Sequence, residues 1–181
     1  MTLDARGASP DTNPTPGAAP GVTVRAATPE DHPEIARVTV AAYRAADMIP
    51  PGTRYDERLA DVAARAEAAQ LLVAVGAGRI VGAVAYCPYG SAYAEISRPG
   101  EAEFRMLAVD PGAQAGGIGA ALVSAVLDHA RADGAHTVVL STPDIAHAAH
   151  RLYRKLGFVR LPDRDWRPAP NVLLLAYQLP L

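Results

Sequence analysis

The chain has 181 residues, of which 50% are apolar and 20% are charged, with a formal net charge of −2 and a pI near 6.2. This length predicts one domain, and the apolar fraction is large enough to form a buried core. The sequence has no basic field, which argues against nucleic acid or an anionic membrane surface as a partner. No apolar run reaches the roughly 18 residues that a membrane-spanning helix needs. Cys87 is the only cysteine, so an internal disulfide is excluded and a reducing, cytoplasmic location is expected.

The first 21 residues differ in composition from the rest of the chain. Residues 1–21 are rich in Pro, Gly, Ala and Thr and have no periodic apolar positions. Because such a segment cannot bury enough surface to offset its ordering entropy, it is predicted to be a disordered tail. Its start carries an acid and no continuous apolar stretch, so no signal peptide is predicted. The folded domain is expected to span residues 22–181.

The first half of the domain reads as a strand, two helices and a hairpin. A helix is predicted to begin at Thr28, because this hydroxyl can cap it and Pro29 and two acids follow in the first turn. Proline and glycine break this helix at 50–52. Two apolar runs then flank a glycine turn, which predicts a hairpin. The strands are predicted at 21–25, 71–75 and 79–86, and the second helix at 54–69.

The second half alternates strands with apolar helices. After a Pro-, Gly- and Tyr-rich loop at 88–100, strands are predicted at 102–109, 136–141, 158–161 and 172–179, with helices at 117–132 and 144–156. The order β-α-α-β-β-β-α-β-α-β-β predicts an α/β domain with a mixed sheet of about seven strands and helices on both faces.

The segment from Glu103 to Gly119 predicts an anion site. A strand ends at Asp110-Pro111-Gly112, and a glycine-rich turn leads directly into an apolar helix. Glycines allow the backbone to approach a ligand closely, and the free N–H groups of a helix start attract a phosphate. The turn lacks G-x-G-x-x-G and has no Gly-Lys-Ser/Thr, so it is neither a Rossmann nor a P-loop motif. From these residues alone, a plain glycine turn between strand and helix stays open.

Two separated motifs resemble the GNAT superfamily of N-acetyltransferases. Gln114-Ala-Gly-Gly-Ile-Gly119 is similar to its Q/R-x-x-G-x-G/A signature, and Ala149-His-Arg-Leu-Tyr-Arg-Lys-Leu-Gly-Phe158 resembles A-x-x-x-Y-x-x-x-G-F. The order of elements from Val22 to Leu179 also resembles that fold. The resemblance therefore implies a GNAT fold and acetyl-CoA as the acyl donor.

The resemblance also implies which residues contact the donor. Strand backbone would pair with the pantetheine arm, and loop amides would hold the pyrophosphate. The strand positions are Leu107, Ala108 and Val109, and the loop positions are Gln114, Ala115, Gly116, Gly117, Ile118, Gly119 and Ala120. Because Ala115 and Gly116 carry no charge, backbone N–H groups must provide most of the contacts to the pyrophosphate.

Members of this family catalyse direct attack by the acceptor amine, without an acyl-enzyme. Tyr153 matches a tyrosine that acts as general acid toward the leaving thiolate, with packing against apolar neighbours as its structural alternative. Glu103 matches a position where some members place the general base, and Glu101 competes with it on the same strand face. Cys87 is then not needed as a nucleophile and is expected to be a small buried residue.

The sequence indicates less about a role for the histidines and about the acceptor site. His147 and His150 are three residues apart on a predicted helix, but no further ligand joins them, so no metal site is predicted. The fold implied by the resemblance places eight residues near the acceptor: Tyr43, Asp47, Met48, Tyr55, Tyr86, Tyr89, Tyr93 and Trp166. Asp47, Asp163 and Asp165 could attract a cationic amine, although residues 163–167 read better as a solvated turn with local ion pairs.

The sequence therefore predicts transfer of acetyl from acetyl-CoA to a primary amine of a small molecule or peptide, and a homodimer stays open because family members are often dimers. Three alternatives remain. They are a catalytically silent acyl-CoA sensor, a transferase that uses a longer acyl-CoA, and an enzyme that acetylates aminoacyl-tRNA. The acidic charge balance argues against the last of these.

Overall fold

The computed structural model describes residues 21–181, apart from the side chains of Gln114 and Ala115. The predicted disordered tail therefore lies outside the described residues, except for Gly21. The strands are β1 Val22–Ala26, β2 Gln70–Gly76, β3 Arg79–Pro88, β4 Glu101–Val109, β5 Thr137–Pro143, β6 Val159–Arg160, β7 Trp166–Ala169 and β8 Val172–Pro180. The α-helices are α1 His32–Ala45, α2 Tyr55–Ala60, α3 Val62–Ala68, α4 Ile118–Ala132 and α5 His147–Lys155.

The strands form one mixed sheet in the order β1-β2-β3-β4-β5-β8-β6, with β7 paired to β8. Only β4 and β5 run parallel; the other described pairs are antiparallel. Alternate residues of β2 enter two cores, since Leu72 packs with α4 and α5 while Leu71 packs with α1 and α3. The predicted mixed sheet with helices on both faces is thus confirmed. The short strand β7 is an addition to the predicted elements.

Two predicted helices have different bounds in the structure. The helix predicted at 54–69 is two helices, because Asp61 leaves the helical region (φ −76°, ψ 75°) and its carboxylate accepts the N–H of Ala64 at 3.2 Å. Asp is a preferred N-cap, so it begins α3 instead of continuing α2. The last helix begins at His147 rather than 144, because β5 continues to Pro143.

Strand β4 contains a bulge that divides it into two halves. Its pairing with β3 shifts between Ala83 and Ala85, and Met106 has a φ of +54°, which is unusual for a residue with a side chain. Its parallel pairing with β5 involves only residues 101–103, although both strands continue further. The β5-facing edge of residues 104–109, called the seam below, therefore has no strand partner.

Helix α4 approaches the sheet closely at Gly82. A Cβ built there would lie 2.9 Å from Ile118 Cγ2 and 3.1 Å from the carbonyl oxygen of Ala108. The missing side chain at Gly82 thus lets the start of α4 lie directly over β3 and β4. Between residues 21 and 181, no helix is both long enough and apolar enough to cross a bilayer.

Candidate active site

A small cavity lies where β4 separates from β5. It has a volume of about 50 Å³ and is lined by both strands and by α5, including Phe104, Leu107, Thr142 and Tyr153. The parallel pair ends just before it, at Glu103 opposite Val139. The seam therefore leads from the core of the sheet toward the start of α4.

Tyr153 lies in the wall of this small cavity. Its side chain is buried and packs edge-on against Phe104 and Phe158, with ring centroids 5.7 and 5.9 Å apart. Within the described part of the chain its hydroxyl has no hydrogen-bond partner. Burial raises the pKa of this phenol above its usual range, so it stays protonated at neutral pH and can donate a proton. The packing and the acid role named as alternatives for Tyr153 are thus compatible.

The turn before α4 is fixed by Asp110. Its carboxylate accepts the N–H of Gly112 at 3.0 Å and the guanidinium of Arg37 at 2.9 Å. The Arg37 hydrogen bond holds the pKa of this carboxyl below its ordinary value. The geometry of this turn thus follows from one carboxylate that joins the loop to α1. A short 3-10 helix at Pro111–Gly116 follows.

The start of α4 presents backbone donors. Gly117 adopts the left-handed conformation (φ +69°), and the first hydrogen bond of the helix runs from Ala121 N–H to the Gly117 carbonyl at 3.0 Å. The N–H groups of Ile118, Gly119 and Ala120 precede it and have no carbonyl one turn earlier within the helix. The prediction for Gln114 and Ala115 concerns their backbone amides, and their side chains lie outside the described atoms.

Gly119 serves helix packing as well as backbone exposure. A Cβ at this position would lie 3.0 Å from Leu152 Cδ2 of α5. The glycine pattern predicts close approach by a ligand at this position. Because a Cβ would also be crowded by Leu152, close contact between α4 and α5 is a second reason for the glycine.

A second, larger cavity of about 380 Å³ adjoins the small one. The two share Tyr43, Met48, Arg105, Met106, Ser141 and Pro143 as lining residues. The rest of the larger cavity is lined by Pro50, Thr53, Arg54, Tyr55, Arg58, Glu95, Trp166, Pro168, Ala169, Val172 and Leu174. Its walls are therefore the segment from α1 to α2 on one side and the β7–β8 hairpin on the other.

An ion pair lies in the wall of the larger cavity. The guanidinium of Arg105 is 2.7 Å from the Glu95 carboxylate, donates to the carbonyl of Tyr93 at 2.7 Å, and stacks 4.4 Å above the Tyr93 ring. Burial is the main influence on Glu95 and raises the pKa of its carboxyl, although Arg105 acts in the opposite direction. Glu95 is the only carboxylate among the residues described as lining this cavity.

Glu103 was expected to lie beside the acceptor as a general base, but it lies outside the lining of both cavities. It is fully buried, and its Oε2 accepts the backbone N–H groups of residues 95, 96 and 97 at 2.9, 2.9 and 3.1 Å. Its other oxygen, Oε1, has no partner among the described residues. Neither cavity is lined by Glu103. The carboxylate therefore holds the loop that carries Glu95.

Glu101, the competing candidate for the general base, also has its carboxylate hydrogen-bonded within the protein. Its carboxylate accepts from Arg164 at 2.9 Å and from the backbone N–H of Arg98 at 2.8 Å. Arg164 lies in the segment that was predicted to be a solvated turn with local pairs. That interpretation is wrong for Arg164, whose side chain is only 12% exposed. For Asp165 only the local ion pair is correct, since it pairs with the nearby Arg160 at 2.6 Å but is only 23% exposed.

Four of the eight residues expected near the acceptor line the larger cavity, namely Tyr43, Met48, Tyr55 and Trp166. Tyr86, Tyr89, Tyr93 and Asp47 do not line it, and neither do Asp163 and Asp165. Tyr86 is buried and donates to Asp133 at 2.7 Å, while Tyr89 is 54% exposed. The acids named for attracting an amine are thus absent from the described lining.

His150 and Cys87 are both buried in the protein interior. His150 is buried, with Nε2 donating to the Pro143 carbonyl at 2.9 Å and Nδ1 lying 2.7 Å from the Tyr177 hydroxyl. No group of three metal-binding side chains occurs among the described residues. Cys87 is fully buried, as predicted, and burial raises the pKa of its thiol to about 12. This thiol is therefore unsuited to nucleophilic attack.

Sequence reasoning missed the charged lining of the larger cavity. Arg54 and Arg58 are one helical turn apart, so a helix that borders a cavity could have been expected to present both. Arg105 follows Glu103 by two residues, which would have suggested a shared strand face. No sequence pattern indicated Glu95 as a lining residue, because its position depends on a loop that is held by contacts with a strand.

Comparisons with known proteins agree on one family. The model of the family described as Acetyltransferase (GNAT) matches residues 33–158, which is 126 of 181 residues. A mycothiol acetyltransferase of Cellulomonas flavigena is 34% identical over 155 residues, or 83% of this chain and 44% of the relative. The chain thus spans less than half the length of this curated relative.

Solved structures share the fold. A GNAT family acetyltransferase from Staphylococcus aureus Mu50 superposes with a TM-score of 0.70 at 16% identity, covering 88% of this chain and 99% of that one. YncA from Salmonella typhimurium, solved with its cofactor acetyl-CoA, has a TM-score of 0.61 at 25% identity and covers 89% and 94%.

Proposed function

Because the chain belongs to the acetyltransferase (GNAT) family, a family of acyltransferases that use acetyl-CoA, we propose that it transfers acetyl from acetyl-CoA to a primary amine by direct attack. The observation that carries the proposal is the seam. It borders the cavity beside Tyr153 and ends at Val109, just before the turn that leads to the start of α4. The larger cavity adjoins this point and is where the acceptor would bind.

The donor would bind as a missing strand. The unpaired edge at Leu107, Ala108 and Val109 can exchange hydrogen bonds with the amides of the pantetheine arm, as an added strand does. The pyrophosphate would lie against the N–H groups from Gln114 to Ala120, at the positive end of α4. No cationic side chain is needed in this arrangement, since main-chain donors carry the contact.

The acyl group would enter the small cavity. This cavity, of about 50 Å³, lies beside Tyr153 and adjoins the larger cavity. We propose acetyl as the acyl group because the family uses acetyl-CoA.

The reaction needs three proton transfers besides the attack. The acceptor ammonium first loses a proton, and its nitrogen then forms a bond to the thioester carbonyl carbon. As the C–S bond breaks, the Tyr153 hydroxyl gives its proton to the CoA thiolate. The phenolate regains a proton from the nitrogen, which still carries one in excess. Acetyl-CoA and the amine thus become an amide and CoA, with no acyl-enzyme.

We propose Glu95, in place of Glu103, as the group that receives the first proton. Glu95 lines the larger cavity, whereas Glu103 is buried against its loop. Burial raises the pKa of Glu95, which makes it a stronger base than an ordinary surface carboxylate. Glu103 acts in this scheme as a positioning residue.

The test combines acetyl-CoA calorimetry with an amine screen in which released CoA is detected by its free thiol. Tyr153→Phe should bind acetyl-CoA normally and lose about 100-fold in kcat, a typical contribution of a general acid. Tyr89→Phe, on an exposed loop outside both cavities, is the control and should keep full activity. Absence of acetyl-CoA binding would refute the proposal. Binding with no turnover of any amine would favour the acyl-CoA sensor.

A further inference from the structure

The larger cavity contains more positive than negative charge. Arg54, Arg58 and Arg105 line it, and Glu95 is the only acid among the described lining residues. Arg105 is already compensated by Glu95 at 2.7 Å. The excess charge is therefore carried by α2 and the residue before it, at the side of the cavity opposite the β7–β8 hairpin.

Arg58 is the cation with unused binding capacity. Arg54 pairs with Glu57 at 2.5 Å, and Arg44 on the neighbouring helix pairs with Asp56 at 2.9 Å. In the part of the chain that the structure describes, no carboxylate lies within ion-pair distance of Arg58. A guanidinium has five N–H donors in a planar fork that matches a carboxylate, so Arg58 is suited to bind one.

We propose that the acceptor is a small amine that also carries a carboxylate, and that Arg58 binds this carboxylate; this rests on the acetyltransferase function proposed above. The amine end lies toward Glu95, beside the small cavity. The body of the acceptor contacts the apolar wall formed by Trp166, Val172 and Leu174. The acceptor is thus of the amino acid class, with an apolar side chain.

The charge pattern disfavours acceptors that are only cationic. A polyamine would bring two or more positive charges to a cavity with one acid, and that acid is already paired with Arg105. The volume of about 380 Å³ is near the lower end of the range of about 300–1,000 Å³ for small-molecule sites. An amino acid satisfies the size, the apolar wall and the unpaired cation together.

The chain contains its own probe for this cavity. Trp166 is the only tryptophan in the sequence and lies in the wall, so tryptophan fluorescence reports ligand entry. Two ligand pairs differ only by the carboxylate: L-leucine with 3-methylbutylamine, and L-phenylalanine with 2-phenylethylamine. With CoA bound, each amino acid should bind about two- to fivefold more tightly than its amine, because one charged contact at an exposed site contributes up to about 1 kcal/mol. The same order is expected in kcat/KM for acetylation.

Variants of Arg58 assign the preference to this residue. Arg58→Gln should abolish the difference within each pair, and Arg58→Glu should make the amine the better ligand. Arg131→Gln, an exposed arginine on α4 outside both cavities, is the matched control and should keep the wild-type preference.

The outcomes separate this inference from the proposed function. Equal or tighter binding of the plain amines overturns it, as does an unchanged preference in Arg58→Gln. A fluorescence response to neither amino acid at the highest soluble concentration also overturns it. Acetyl-CoA binding and turnover of another amine would leave the acetyltransferase function standing in each of these cases.

Discussion

The Glu103→Gln substitution separates a positioning role from a catalytic one. Glu103 Oε2 accepts three backbone N–H groups from residues 95–97. A hydrogen bond to a charged group contributes about 1.5–3 kcal/mol and a neutral one about 0.5–1.5, so three weakened bonds cost about 3 kcal/mol. An amide is easier to bury than a carboxylate, which offsets part of this cost. The expected net loss of about 2 kcal/mol lowers Tm by about 4–8 °C in a domain of this size.

The pH profile distinguishes the two glutamates. A carboxylate accepts a proton only when it is ionised, so the rate should rise as pH passes upward through the raised pKa of Glu95. Glu103→Gln should keep this rise, with a lower kcat because Glu95 is less firmly placed. Glu95→Gln should lose the rise, and its Tm should also fall because the largely buried Arg105 loses its ion-pair partner. Glu67→Gln, exposed on α3, controls for the loss of one negative charge.

The measurements are thermal unfolding of all three variants and kcat/KM across the acid limb with one acceptor. Our reasoning about the loop would be refuted if Glu103→Gln kept its Tm but lost the pH-dependent rise. Glu103 would then be the base, acting through its unpaired Oε1 and water. Retention of the rise in Glu95→Gln would exclude Glu95 as the base.

Two further predictions concern stability. Gly82→Ala should lower the free energy of unfolding by about 1–3 kcal/mol, because its Cβ would overpack the core against Ile118. Urea unfolding measures this change. Gly76→Ala is the control and should be near neutral, because its Cβ would meet ordinary contacts at 3.4 Å. Asp31 has its pKa lowered to about 2 by its hydrogen bond to Arg25, so its stabilising effect is present above the unfolded pKa of about 4 and disappears as pH falls toward 2. The Tm difference between wild type and Asp31→Asn should shrink over that interval, and a constant difference would contradict the assignment.

The donor half of the candidate site could be predicted from the sequence because it is local. The strand, the turn at Asp110, the glycines and the helix start are contiguous, and each has a known backbone preference. Tyr153 followed from the second motif. The sequence also indicated buried Cys87 for the same reason, since an apolar strand surrounds it.

The acceptor half depends on distant contacts and could not be predicted in the same way. Glu95 belongs to a loop whose place is set by Glu103 and by the Arg164–Glu101 pair, which spans 63 residues. An ion pair between residues so far apart leaves no periodic signal. The Asp61 break in the second helix did have a signal, since aspartate is a preferred N-cap, but the surrounding alanines favoured one continuous helix.

The bulge at Met106 changes which way the later side chains of β4 point. A strand alternates its side chains strictly, and one extra residue reverses that alternation beyond the insertion. The residues before the bulge can therefore support the loop that carries Glu95, while those after it border the proposed donor site, within a single strand. A change in the length of β4 at this point would exchange the inward and outward residues of one half while leaving the other half in place. The bulge thus sets the relative orientation of the two proposed binding sites along nine residues.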